Sequence, residues 1–99
     1  MLERADSYEA LVSGFRWRIP ARYNIADAAC GAFAAREPER EALLHLREDG
    51  GIERWTYGRL DEASSRLANA LKAQGIACGE RVALLLPQSP QTLLSHLAV

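Results

Sequence analysis

Five consecutive apolar residues, Val82–Leu86, constrain the fold of this chain more than any other stretch of its sequence. A strand that alternates apolar and polar residues exposes one face to water, whereas a strand that is apolar throughout must be covered on both faces, as in a central parallel sheet. From Pro90 a helical pattern follows, with apolar positions at Leu93, Leu94, Leu97 and Ala98. We therefore expect a parallel strand and the crossover helix that leaves it.

The crossover helix bears on the extent of the fold. Such a helix leads to a second parallel strand, and no further strand pattern follows it in the sequence. The predicted fold class is α/β: an incomplete amino-terminal part of a larger α/β domain, with a β-hairpin, an amphipathic helix and the first buried parallel strand. We expect residues 1–23 to form an amino-terminal arm with a short helix, and residues 24–99 to form the truncated amino-terminal portion of the domain.

The composition is that of a folded protein, with 48% hydrophobic and 25% charged residues. Twelve basic against thirteen acidic residues leave a net charge of -1, so neither nucleic acid nor a membrane surface is an expected partner. The longest apolar run is far shorter than the roughly 20 residues that span a bilayer, and Met1–Asp6 lacks the pattern of a secretory signal. These features predict a cytoplasmic protein without a membrane span.

The amino-terminal arm allows two interpretations. Asp6 and Glu9 have the spacing of a capping box and predict a short helix that ends near Gly14. The stretch Phe15–Pro20, FRWRIP, then mixes aromatic and basic side chains. We expect the aromatic rings to hold the arm against the body of the protein, with the arginines in solvent. Stacking of these rings on nucleobases is the lesser alternative.

The centre of the chain predicts a helix and then a hairpin. Asn24 is a suitable N-cap for a helix that Pro38 ends. Residues 42–47 and 52–57 then read as two antiparallel strands, because the Asp-Gly and Gly-Gly pairs between them tolerate the backbone angles of a tight turn. The glycines are not expected to cradle a phosphate, since that role needs a helix amino terminus directly after them.

The best-specified element is an amphipathic helix. Thr56 is its expected N-cap, although Arg59 in the first turn opposes the helix dipole. Gly75 predicts a left-handed C′ residue, with Ile76 behind it in a Schellman ending. One face carries the apolar residues Leu60, Ala63, Leu67, Ala70 and Leu71.

Three stretches resemble one known family, the adenylate-forming synthetases, in its amino-terminal region. They are Trp55–Asp61 (WTYGRLD), Arg66–Leu71 (RLANAL) and Gly79–Pro90 (GERVALLLPQSP). Phe15–Pro20, followed by Tyr23 and Asn24, is similar to the lead-in of AMP-forming acyl-CoA synthetases of the acetate, medium-chain and aromatic-acid type. The resemblance runs through nearly the whole chain from Tyr8 onward.

The resemblance implies a ligase that activates a carboxylic acid with ATP to an acyl adenylate and transfers the acyl group to coenzyme A. The implied partners are a small carboxylic acid, ATP with Mg²⁺, coenzyme A and the remainder of the synthetase chain. It also implies that the phosphate loop, the nucleotide contacts and the catalytic lysine lie beyond Val99, so that this chain alone is expected to be inactive. The alternative is a small stand-alone interaction module that pairs with a partner protein through its strand edge and final helix.

No residue of this chain is predicted to be catalytic, cofactor-binding or metal-binding. Lys72 is near a helix end, where its charge favours the dipole. His45 and His96 are single histidines in apolar surroundings and are expected to be structural. Cys30 and Cys78 lie in no metal or redox motif, so we expect both to remain reduced and to behave as small hydrophobic residues.

Overall fold

A computed structural model describes residues 4–99. Its elements, in chain order, are α1 (Tyr8–Gly14), a π-helical turn (Asp27–Gly31), α2 (Ala32–Arg36), β1 (Glu41–Leu46), β2 (Ile52–Thr56), α3 (Tyr57–Ala73) and α4 (Pro90–Ala98). Within this range, none of the helices combines the length and the apolarity needed to cross a bilayer. Helices and a two-stranded antiparallel sheet thus make up an incomplete α/β fold.

The helical segment after the arm begins at the predicted cap. The Asn24 side-chain oxygen accepts hydrogen bonds from the amides of Ala26 and Asp27, at 2.9 and 3.1 Å. The helix then widens into the π-helical turn Asp27–Gly31 before α2 continues it. A Cβ atom at Gly31 would lie 2.7 Å from Asp27 Oδ1, so a side chain there would require the Asp27 carboxylate to rotate away.

The predicted hairpin is confirmed. Strands β1 and β2 are antiparallel, and Leu46 opposes Ile52 next to the turn. Gly50 adopts a φ of 81°, which the turn requires and which glycine adopts without steric cost. Asp49 Oδ1 accepts a hydrogen bond from the Gly51 amide at 2.8 Å, so the acid before the glycines also fixes the turn.

Helix α3 begins and ends as the sequence predicts. The Thr56 hydroxyl accepts a hydrogen bond from the Arg59 amide at 3.3 Å. At the other end, Gly75 has a φ of 92° and the Ile76 amide donates to the Leu71 carbonyl at 3.1 Å. That bond is the six-to-one hydrogen bond of a Schellman motif. Residues at the two ends of α3 therefore determine where the helix begins and where it ends.

The core is small. Only Cys30, Trp55 and Leu60 are buried hydrophobic residues in the described part of the chain. Around them pack Ala42, Leu43, Tyr57, Ala63, Leu93, Leu94 and Leu97. The Cα radius of gyration is 17.7 Å, against about 13 Å for a compact domain of this length. Helix α4 nevertheless packs on α3, so its apolar face belongs to this core.

The structure differs from the prediction at Val82–Leu86. Among residues 4–99, only β1 and β2 pair as strands, and Val82–Leu86 has no strand neighbour. Leu85 is 99% exposed, although Val82 and Leu84 are partly covered. A strand forms its hydrogen-bond ladder only with a neighbour, and among residues 4–99 neither β1 nor β2 pairs with this segment. The buried parallel strand predicted here is therefore absent. The expectation that this chain does not cover both faces of the segment matches the structure, because Val82 and Leu84 are partly covered whereas Leu85 is exposed.

The arm also departs from two predictions. Ser7, rather than Asp6, caps α1, and its hydroxyl accepts a hydrogen bond from the Ala10 amide at 3.1 Å. The helix does end at Gly14. The aromatic side chains do not hold the arm to the body, because Trp17 is 80% exposed and its edge-to-face partner is Phe15, 5.0 Å away between ring centroids. Aromatic residues in a segment without apolar neighbours pack on each other.

Candidate functional site

A groove of about 450 Å³ lies between β1 and α4. Leu43 and Leu93 supply apolar surface, while His45 of β1 and His96 of α4 supply imidazoles. The other lining residues come from the turn before α4 and from its first turn: Gln88, Ser89, Pro90 and Thr92. The groove is largely open to solvent, whereas small-molecule pockets enclose most of their ligand.

Two histidines that the sequence presents as isolated line the same groove. His45 opposes Glu53 in the hairpin register, and His96 lies one helical turn after Thr92. Among the described residues, no hydrogen bond joins either imidazole to a hydroxyl, thiol or carboxylate. The groove therefore contains hydrogen-bonding groups but no assembled pair of nucleophile and general base.

The base of the hairpin carries a charged cluster next to the core. The Arg59 guanidinium lies over the Trp55 ring, 3.6 Å from its centroid, and donates to Glu53 Oε1 at 3.3 Å. Trp55 Nε1 is buried without a hydrogen-bond partner among residues 4–99. The positive charge of Arg59 thus balances the negative charge of Glu53. The Arg59 side chain extends toward β2, although the residue itself lies in the first turn of α3.

The two cysteines lie in different environments. Cys30 is buried and its thiol donates to the Tyr57 carbonyl at 3.7 Å, as expected of a small hydrophobic residue. Burial raises the pKa of the Cys30 thiol, and the nearby Asp61 carboxylate raises that pKa further. A thiol held in its protonated form is a poor nucleophile. Cys78 is exposed, so for this residue the expected hydrophobic role is wrong.

The described residues do not fit the ATP, Mg²⁺ and coenzyme A that the resemblance implies. Gly50 and Gly51 form a hairpin turn that leads into β2, so no helix amino terminus follows them to bind a phosphate. Lys72 is exposed in the last turn of α3. Within residues 4–99, no three His, Cys, Asp or Glu side chains are close enough to share a metal ion. No chemical step is therefore derived from these residues.

A comparison of the sequence with protein families gives one match, to the AMP-binding enzyme family over residues 31–99. The human mitochondrial acetyl-coenzyme A synthetase 2-like protein is 36% identical over 83% of this chain and 12% of its own length. The human mitochondrial acyl-coenzyme A synthetase ACSM3 is 29% identical over 94% and 17%. The acetoacetyl-coenzyme A synthetase of Rhizobium meliloti is 43% identical over 59% and 9%. No solved structure matches significantly.

Proposed function

The chain belongs to the AMP-binding enzyme family, and from this premise we propose that it is the amino-terminal part of an AMP-forming acyl-CoA synthetase. One observation carries the proposal: two relatives named as coenzyme A synthetases align with 83% and 94% of this chain, which spans only 12% and 17% of their length. The exposed residues Leu85 and Leu86 support it, because they need apolar neighbours that residues 4–99 do not supply.

The proposed reaction has two steps. A carboxylate oxygen attacks the α-phosphorus of ATP, which forms an acyl adenylate and releases pyrophosphate. The thiol of coenzyme A then attacks the acyl carbon, and AMP leaves as the thioester forms. The first step is needed because a free carboxylate is a poor acceptor for a thiol, whereas the mixed anhydride has a good leaving group. Mg²⁺ and charged groups would stabilise the phosphate charge in such an enzyme.

The role proposed for these residues is structural. Residues 24–99 would supply the first hairpin, α3 and α4 of the adenylate-forming domain, and residues 1–23 would form an arm before it. Catalytic and nucleotide-binding groups would come from the remainder of the synthetase, in a cytoplasmic enzyme. The acid that it activates is a carboxylic acid of unspecified chain length, because the named relatives differ in their acyl groups.

The second candidate is a stand-alone interaction module. The observation in its favour is the unpaired segment Val82–Leu86, whose free backbone groups could pair with a strand of another protein. The final helix supports it less, because Leu93, Leu94 and Leu97 already pack against the chain's own core. The module would therefore use the backbone groups of Val82–Leu86 alone, and not the final helix.

A pyrophosphate-exchange assay separates the two candidates. The 99-residue chain and the chain extended by whatever coding sequence follows Val99 are each incubated with ATP, labelled pyrophosphate and a panel of acetate, hexanoate and benzoate. We expect acid-dependent exchange only with the extended protein. Exchange by the 99-residue chain would contradict the proposal, and so would a following frame without synthetase-like sequence.

A further inference from the structure

The charge of the chain is unevenly distributed. Residues 8–25 contain three basic residues, Arg16, Arg18 and Arg22, and one acidic residue, Glu9, which gives a net charge of +2. The whole chain has a net charge of -1, so the remaining residues together carry a charge of -3. A near-neutral total therefore hides a basic segment at the amino-terminal arm, and such asymmetry is typical of a surface that meets an anionic partner.

The same segment exposes large apolar side chains. Trp17, Ile19 and Ile25 are 80%, 79% and 71% exposed, and Val12 and Tyr23 are also exposed. Helix α1 buries none of its residues. Monomeric proteins seldom expose a tryptophan together with several aliphatic residues unless the surface contacts a partner.

The mixture of side chains indicates the kind of partner. Tryptophan and tyrosine favour the boundary between lipid headgroups and acyl chains, and arginine binds anionic headgroups. Exposed Val12, Ile19 and Ile25 would gain from contact with acyl chains, whereas base stacking uses aromatic rings and leaves aliphatic residues in water. Against the expectation from the net charge of the whole chain, we propose that residues 8–25, which comprise α1 and the segment after it, are an interfacial anchor that binds the surface of an anionic phospholipid bilayer without spanning it.

Vesicle binding by the full 99-residue chain tests this. Vesicles of phosphatidylcholine alone are compared with vesicles that contain equal amounts of phosphatidylcholine and phosphatidylglycerol, by co-sedimentation and by tryptophan emission. We expect binding to the anionic vesicles only, weakened by added salt, with a blue shift in emission. The shift should be absent in Trp17→Phe, because Trp55 is already buried.

Charge variants test the electrostatic part. Replacing all three arm arginines by glutamine should lower the partition coefficient roughly 100-fold, since each basic residue contributes about fivefold at an anionic surface. The matched control replaces Arg40, Arg47 and Arg66 by glutamine. These arginines are exposed on the body of the protein, so the control variant loses the same total charge. Its partition coefficient should stay near that of the parent chain. Circular dichroism spectra check that both variants keep their helix content.

Apolar variants test the insertion. Trp17→Ala should lower the partition coefficient at least about tenfold, while Leu85→Ala, at another exposed apolar residue, should not change it. Equal binding to both kinds of vesicle, no binding at low salt, or equal losses in the test and control variants would overturn the proposal. Binding to a single-stranded oligonucleotide but not to anionic vesicles would also overturn it, in favour of base stacking.

Discussion

At the scale of single residues, Arg59 shows how an unfavourable position in a helix is tolerated. Its charge lies in the first turn of α3, where the helix dipole disfavours a cation. The side chain extends back over the Trp55 ring and binds Glu53, and it also donates to the Arg54 carbonyl at 3.2 Å. Contacts between the Arg59 side chain and β2 thus outweigh a dipole effect of about 0.3–1 kcal/mol.

We predict that Arg59→Ala lowers the free energy of unfolding by about 1 kcal/mol, because it removes the contact with Trp55. Arg66 provides the matched control on the same helix, since its pair with Glu62 is exposed and should contribute less than about 0.5 kcal/mol. Urea unfolding followed by tryptophan emission measures both. An equal effect of the two variants would contradict the role given to Arg59.

The buried thiol predicts a dependence of stability on pH. The pKa of Cys30 is raised in the folded chain, so folding favours its protonated form. An unfolded thiol loses its proton above about pH 8.5. The free energy of unfolding should therefore fall as the pH rises from that value toward the folded pKa. Cys30→Ala should lose this component and Cys78→Ala should keep it, as measured by urea unfolding across an alkaline series.

Residue-level prediction from sequence succeeded where a residue determines the conformation or hydrogen bonds of backbone close to it in sequence. Thr56, Asn24 and Gly75 act within four residues, so their roles can be read locally. The groove was missed because His45 and His96 are 51 positions apart, and only the fold places both of them in the lining of one groove. No short-range pattern in the sequence encodes that proximity.

At the scale of elements, the Schellman ending of α3 gives a direct test. A Cβ atom at Gly75 would meet nothing within 4 Å, so only its φ of 92° opposes a side chain. Gly75→Ala should lower the free energy of unfolding by about 1–2 kcal/mol. Gly14 also has open space but no positive φ, so Gly14→Ala should be neutral or slightly stabilising. Thermal unfolding followed by circular dichroism compares the two.

The elements could be predicted to different degrees, for a physical reason. The hairpin and α3 have their turn and capping residues in sequence, and both formed as expected. The strand at Val82–Leu86 could not form, because a strand depends on neighbours as much as on its own residues. The packing of the arm failed for a similar reason, since aromatic composition does not specify what the rings contact.

At the scale of the whole molecule, the chain is extended and has a small core. Three buried hydrophobic residues among residues 4–99 and a radius of gyration of 17.7 Å are not those of a compact domain of this length. The class of fold and the family were accessible from sequence, because the motifs that carry them are contiguous. We propose that Val82–Leu86 becomes a covered strand only in a longer protein.

Backbone amide hydrogen exchange at residues 82–86 tests that claim most directly. It is measured in the 99-residue chain and in the chain extended by the coding sequence that follows Val99. We expect fast exchange at residues 82–86 in the 99-residue chain and strong protection of the same amides in the extended protein. The amides of α3 serve as an internal reference for protection. Protection of residues 82–86 in the monomeric 99-residue chain, or fast exchange in both proteins, would contradict it.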